Sequence, residues 1–115
     1  MNPLSKATIP HYVWGDRCDG WIFAEKSSIC IKQERMPPGT SERLHLHEKA
    51  EQFFFILHGR ATFLIEGREH TVNPEEGIVI PPGARHLITN RSGEELEFLL
   101  VSQPTSAADR RDVES

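Results

Sequence analysis

Glycine- and proline-marked turns recur along this chain at short, nearly even intervals: Asp19-Gly20, Pro37-Pro38-Gly39, His58-Gly59, Glu66-Gly67, Asn73-Pro74, Pro81-Pro82-Gly83 and Ser92-Gly93. Each interrupts the backbone before a helix of ordinary length can develop, and the runs between them are rich in Ile, Val, Phe and Leu. Short apolar runs separated by regular turn signals specify an all-β sandwich or barrel. The expected strands are Trp21 to Ala24, Ser28 to Met36, Arg43 to His47, Gln52 to Leu57, Ala61 to Ile65, Glu69 to Val72, Gly77 to Ile80, His86 to Thr89 and Glu95 to Val101. No segment of the body carries a helical apolar period.

The clearest hairpin joins Ala61-Thr62-Phe63-Leu64-Ile65 to Arg68-Glu69-His70-Thr71-Val72 through Glu66-Gly67, because Gly supplies the positive φ of a tight primed turn. Gln52-Phe53-Phe54-Phe55-Ile56-Leu57 is apolar at both parities, so this strand has two faces to cover. One face fills the barrel. A second subunit is the expected cover for the other, which predicts a homodimer.

At 115 residues the chain is long enough for one core and little else. A net charge of -4 with no cluster of Lys and Arg argues against a nucleic-acid partner. No run approaches the roughly 18 apolar residues of a membrane helix, and Met1-Asn2-Pro3-Leu4-Ser5-Lys6 lacks the apolar stretch of an export signal, so no membrane association and a cytoplasmic location are expected. Cys18 and Cys30 form no CxxC unit and are read as buried or half-buried free thiols.

His45-Leu46-His47 sets two imidazoles two residues apart, and on a strand that spacing turns both to one face. Ordinary polar strand faces share the pattern, so the surroundings decide. Glu51-Gln52 enters the next strand with two oxygen donors, and His86 follows the turn Pro81-Pro82-Gly83. Three neutral imidazoles and an oxygen donor suit a borderline divalent transition metal.

Pro38-Gly39-Thr40-Ser41-Glu42-Arg43-Leu44-His45-Leu46-His47 with Gln52 and Gly59 resembles the first motif of the cupin superfamily. Pro81-Pro82-Gly83-Ala84-Arg85-His86-Leu87-Ile88-Thr89-Asn90 resembles the second, with Pro81, Gly83, His86 and Asn90 at the family's spacing. The resemblance implies a small single-domain cupin: a double-stranded β-helix, or jelly-roll barrel. It divides the chain into an arm over 1–20, a barrel over 21–102 and a polar tail over 103–115, the tail reading as a solvated terminus.

The same resemblance implies the metal ligands His45, His47, Gln52 and His86, holding one divalent ion such as Zn, Fe, Mn, Ni or Cu. Gln52 stands where the family's first motif has glutamate. Glu51 is one residue early, and strand alternation forbids both from facing inward without a bulge. The spacing to Gly59 and the cost of a bulge favour Gln52. Glu75 stands where the second motif has glycine, a departure that touches a turn and no ligand.

A shell of three imidazoles and a carboxamide is uncharged, so the ion keeps its full charge and favours anionic ligands. The expected function is therefore metal-dependent chemistry on a small anionic or oxygenated metabolite, by oxidation, isomerisation, lyase chemistry or cyclisation. A noncatalytic module that binds or senses a small molecule is the alternative, and a metal-free storage or scaffold barrel a third. His11, His58 and His70 fall outside both motifs and are read as surface groups, with a place at the barrel mouth open to His58. Glu34, Arg35 and Arg43 flank the first motif, but the ambiguous parity of their surroundings leaves the catalytic acid or base unnamed.

Overall fold

The computed structural model describes residues 1–114. Eleven strands follow one another: β1 His11–Trp14, β2 Cys18–Glu25, β3 Cys30–Met36, β4 His45–His47, β5 Glu51–His58, β6 Ala61–Ile65, β7 Arg68–Val72, β8 Gly77–Ile80, β9 His86–Thr89, β10 Leu96–Gln103 and β11 Arg110–Asp112. They form a six-stranded sheet in the order β1-β2-β3-β10-β5-β8 and a five-stranded sheet in the order β11-β4-β9-β6-β7. Every strand pairing is antiparallel, which makes the fold the all-β double-stranded β-helix that the turn spacing and motifs imply. Among the described residues no helix is long and apolar enough to cross a membrane.

The alternation of β5 settles its register. Gln52, Phe54 and Ile56 are buried while Glu51, Phe53 and Leu57 are exposed. Phe54 and Ile56 join Met36, Phe63, Ile80, Ile88, Leu96 and Phe98 in the core between the sheets. Phe54 meets Phe63 edge-on at 5.0 Å, tying the two sheets together with a favourable aromatic geometry.

The inner faces divide along their length. Met36 on β3 is apolar and Glu34 two residues earlier is not; Ile88 on β9 is apolar and His86 is not. One end of the barrel is therefore a sealed hydrocarbon core and the other a polar chamber. Two residues of the motifs hold the sealed end. Gly59 has φ +82°, and a Cβ there would lie 2.4 Å from the Glu95 carbonyl oxygen, so no other residue fits without moving β10. Asn90, fully buried, donates to the carbonyls of Met36 at 2.9 Å and Glu94 at 2.8 Å and accepts from the Ser92 backbone N–H at 3.0 Å.

Beyond shifts of one or two residues at other strand ends, three features differ from the sequence expectation. β1 is a strand, paired with β2 from His11↔Trp21 to Trp14↔Cys18. β2 begins at Cys18, earlier than Trp21. The polar tail is exposed but tied down: Arg110–Asp112 pair with β4 at Arg110↔His47 and Asp112↔His45. The tail has no apolar alternation to announce a strand, because it is held by backbone pairing and by Asp109, whose carboxylate accepts from the backbone N–H groups of Lys49 at 3.1 Å and Ala50 at 2.9 Å. Cys18 and Cys30 are free and buried, and burial pushes both thiols above their ordinary range.

Candidate metal centre

His45 and His47 lie on β4, and His86 opens β9 directly opposite His45 in the strand register. All three are buried. Each offers a ring nitrogen within 4.8 Å of the others, so the three are positioned to hold a metal ion. The ring centroids of His45 and His86 are 4.3 Å apart and those of His45 and His47 5.1 Å.

Backbone carbonyls orient two of the rings. His45 Nδ1 lies 2.8 Å from the Arg43 carbonyl oxygen and His86 Nδ1 lies 2.9 Å from that of Ala84. A carbonyl only accepts, so each Nδ1 carries the proton and each Nε2 keeps its lone pair, which is how a metal-ligating histidine is commonly held. His47 Nδ1 is buried without a hydrogen-bond partner among the described residues. Burial and the neighbouring His86 push His45 down to about 3 and His47 down to about 4, and burial also lowers His86. All three imidazoles are neutral at physiological pH, the form that binds metal.

Gln52 reaches the same place from the opposite sheet. Its Nε2 donates to Ser102 Oγ at 3.1 Å, which turns Oε1 toward His86 Nε2 at 3.2 Å. Glu51, the competing oxygen donor, is exposed. His58 is exposed as well, with Nδ1 3.0 Å from the Glu95 carbonyl oxygen, and is not among the residues lining the chamber. Three imidazoles, that of His47 with its Nδ1 orphaned, and a carboxamide oxygen are a donor set that fits a divalent transition metal.

The centre opens on a cavity of about 230 Å³ lined also by Tyr12, Lys32, Glu34, Glu42, Ser106 and Arg110. Glu42 accepts from the Ile88 backbone N–H at 3.3 Å and lies 3.6 Å from an Arg110 guanidinium nitrogen and 3.9 Å from His45 Nδ1. Burial, reinforced by the Glu34 charge, pushes its carboxyl up to about 8. Tyr12, Ser106 and Arg110 escaped sequence reasoning as site residues because they come from an edge strand and from the tail. Their only sequence signal is weak: Tyr12 belongs to the aromatic cluster Tyr12-Val13-Trp14, and Arg110 to a short charged run.

Two antiparallel sheets, a sealed core and a buried histidine triad at one mouth make this a β-barrel with three residues positioned to hold a metal ion. The family model for the cupin domain matches residues 32–102, more than half of the chain, and the protein belongs to that family. An oxalate-binding protein of Thermotoga maritima is 33% identical over 67 residues, 58% of this chain and 55% of its own length. The chain spans about half the length of the curated relatives it matches. Among solved structures, one described as a predicted oxalate decarboxylase of Thermotoga maritima has a TM-score of 0.82 at 21% identity, covering 90% of this chain and 100% of that one. The polyketide cyclase RemF of Streptomyces resistomycificus has a TM-score of 0.80 at 20% identity, covering 100% of this chain and 87% of that one. At these identities the two structures share the fold.

Proposed function

We propose that this protein holds one divalent transition metal on His45, His47, His86 and Gln52, and uses it to bind a small carboxylate or other oxygen-donor metabolite in the adjoining cavity. The observation that carries the reading is the convergence of three neutral, buried imidazoles and the Gln52 carboxamide oxygen on one point from both sheets. When bound, the ion supplies an electrophile that polarises a ligand's oxygen. The chain supplies the rest. Ser102 fixes the carboxamide, Lys32 and Arg110 add positive charge at the cavity wall, and the tail and β1 limit access to a small molecule.

The neutral ligand set favours an anion, because no carboxylate in the shell offsets the charge of the ion. The resemblance to an oxalate-binding protein supports the same ligand class and supports simple binding as a second reading. Protein purified without a histidine tag or added metal should contain close to one equivalent of metal by elemental analysis. Thermal-shift screening of oxalate and related small carboxylates against metal-loaded and chelated protein should then show ligand stabilisation only in the loaded form. A metal-free protein with no affinity for added Zn²⁺, Ni²⁺ or Co²⁺ would return the barrel to a scaffold role.

The reading includes a homodimer formed through the outer face of β5 and β8. Phe53, Leu57 and Val79 are exposed there at 39%, 39% and 52%, side chains that a second copy would cover. Light scattering across micromolar concentrations should give twice the chain mass, and Phe53→Lys with Val79→Lys should halve it.

A further inference from the structure

Tyr12, Gly20 and Glu34 form one cross-strand row: Tyr12 pairs with Gly20 between β1 and β2, and Gly20 pairs with Glu34 between β2 and β3. The middle position has no side chain. A Cβ at Gly20 would lie 2.0 Å from the Tyr12 ring carbon that bears the hydroxyl. The tyrosine therefore lies flat across the backbone of β2, and its hydroxyl donates to Glu34 Oε2 on the far side. Any larger residue at Gly20 would lift the ring and break that contact.

Glu34 is a buried carboxyl on the wall of the cavity, facing the centre from the sheet opposite His45 and His47. Among the described residues it has no ion pair; its hydrogen-bond partner is the Tyr12 hydroxyl. Burial raises its pKa, outweighing the Tyr12 hydrogen bond and the Lys32 and Arg110 cations that favour the charged form; Glu42 shares the cavity. A carboxyl that is buried, unpaired and held by one tyrosine contributes little to stability where it stands.

We propose that Glu34 is the proton-transfer residue of this cavity, positioned by Tyr12 through the gap that Gly20 leaves, and that it serves ligands with a C–H bond next to a carbonyl. The proposal rests on the metal-centre reading above. In the step, the C–H bond breaks and its proton passes to the Glu34 carboxylate oxygen that Tyr12 does not engage. The electron pair of that bond moves to the carbonyl, whose oxygen takes the negative charge as an enolate; return of the proton to carbon closes an isomerisation or exchange. Glu34 would be the catalytic base and Tyr12 a positioning residue that steadies the carboxylate.

The test uses Co²⁺-loaded protein with pyruvate as the probe. Binding is read from the visible spectrum of the cobalt, and proton transfer from deuterium exchange into the pyruvate methyl group in D₂O by NMR. Wild-type protein should exchange the methyl protons faster than Co²⁺ in buffer. Glu34→Gln should lower the exchange about 100-fold or more, with pyruvate affinity kept within about twofold. Tyr12→Phe should move the pH midpoint of exchange upward, since the carboxylate loses a donor; Gly20→Ala should produce the same move, and the double variant no more. A purely structural Tyr12 would change stability and leave the midpoint in place.

An activity-independent readout comes from carbon-13 carboxyl NMR of the metal-free protein, in which the signal lost in Glu34→Gln should titrate above the surface glutamates. Exchange retained by Glu34→Gln, wild-type exchange no faster than free Co²⁺, or Glu34 titrating with the surface carboxyls overturns the proposal while leaving the metal centre standing. Failure of Co²⁺ to bind, or a cobalt spectrum unmoved by pyruvate, overturns the metal-centre reading and the proposal with it.

Discussion

Gln52 Oε1 faces His86 Nε2 across 3.2 Å, and neither atom has a proton to give. His86 commits its ring N–H to the Ala84 carbonyl, and the Gln52 amide is turned by Ser102 so that its oxygen points inward. Two lone pairs directed at one another in a buried chamber are unfavourable unless a cation or a hydrogen-bond donor lies between them. The same reasoning applies to His45, whose N–H is taken by the Arg43 carbonyl. The two sheets thus turn acceptor atoms toward one point, an arrangement suited to a cation.

Exchanging the carboxamide for a carboxylate tests this directly. Gln52→Glu should tighten Zn²⁺ binding about tenfold or more, because a formal charge replaces a dipole at contact distance. The same change should weaken oxalate binding to the loaded protein by a similar factor. In chelated protein it should lower stability by about 1–3 kcal/mol, since the new carboxylate would be buried without a cation beside it. Titration calorimetry with Zn²⁺ and then oxalate, beside chemical denaturation of the chelated form, reads all three. Unchanged affinities would remove Gln52 from the ligand set.

Much of this centre was legible because strand alternation is a hard constraint. His45 and His47 share a face whatever the rest of the chain does, and Gln52 with Phe54 and Ile56 excludes Glu51 from that face once the register is set. The residues that complete the chamber were not legible, for two separate reasons. Tyr12 reaches inward across a strand edge, through a space that exists only because its partner in the register is Gly20. Arg110 arrives on a tail strand fixed by backbone pairing, which leaves no apolar pattern in the sequence.

The glutamate at position 75 was read as a change confined to a turn, and the backbone shows what that change costs. In the turn from Asn73 to Glu76, closed by the Glu76 N–H donating to the Asn73 carbonyl at 3.0 Å, Glu75 adopts φ +67°. Positive φ at the third position of a turn with proline second is the type II requirement, and it favours glycine. Glu75→Gly should therefore raise stability by about 0.5–1 kcal/mol, read by urea denaturation, with metal affinity unchanged. A loss of stability would mean that the Glu75 side chain contributes a compensating contact.

Asp19 ties the arm to the barrel and gives that attachment a pH dependence. Its carboxylate accepts from Arg35 Nε at 2.8 Å and lies 2.8 Å from His11 Nε2, and these partners, Arg35 foremost, hold it below its ordinary value of 3.8. A carboxyl whose pKa is depressed on folding contributes stability above the unfolded value and loses it as pH falls through the folded value. Asp19→Asn should cost about 1 kcal/mol at pH 7, a figure kept low because the pair is partly solvated. The difference from wild type should shrink below pH 3.8 and vanish in stronger acid, as followed by denaturation at several pH values. A difference independent of pH would assign the effect to packing.

The tail strand should matter to the ligand more than to the metal. β11 pairs with β4, which carries His45 and His47, while Ser106 and Arg110 line the cavity from outside the triad. Truncation after Gln103 removes that wall and the pairing but none of the four proposed ligands. The edge of β4 then becomes solvent-exposed, so its amides should lose protection in hydrogen exchange, Leu46 among them as the partner of Arg111. Oxalate affinity of the metal-loaded protein should fall about tenfold, with the loss of Arg110 as a charged group and of the enclosure it completes. Zn²⁺ affinity should fall by a smaller factor, because the carbonyls of Arg43 and Ala84 still hold two of the rings. Arg110→Ala separates the two contributions: it should reproduce most of the oxalate loss while leaving the protection of β4 intact. If truncation instead abolishes Zn²⁺ binding and Arg110→Ala changes nothing, the tail acts by holding β4 in place and takes no direct part in recognising the ligand.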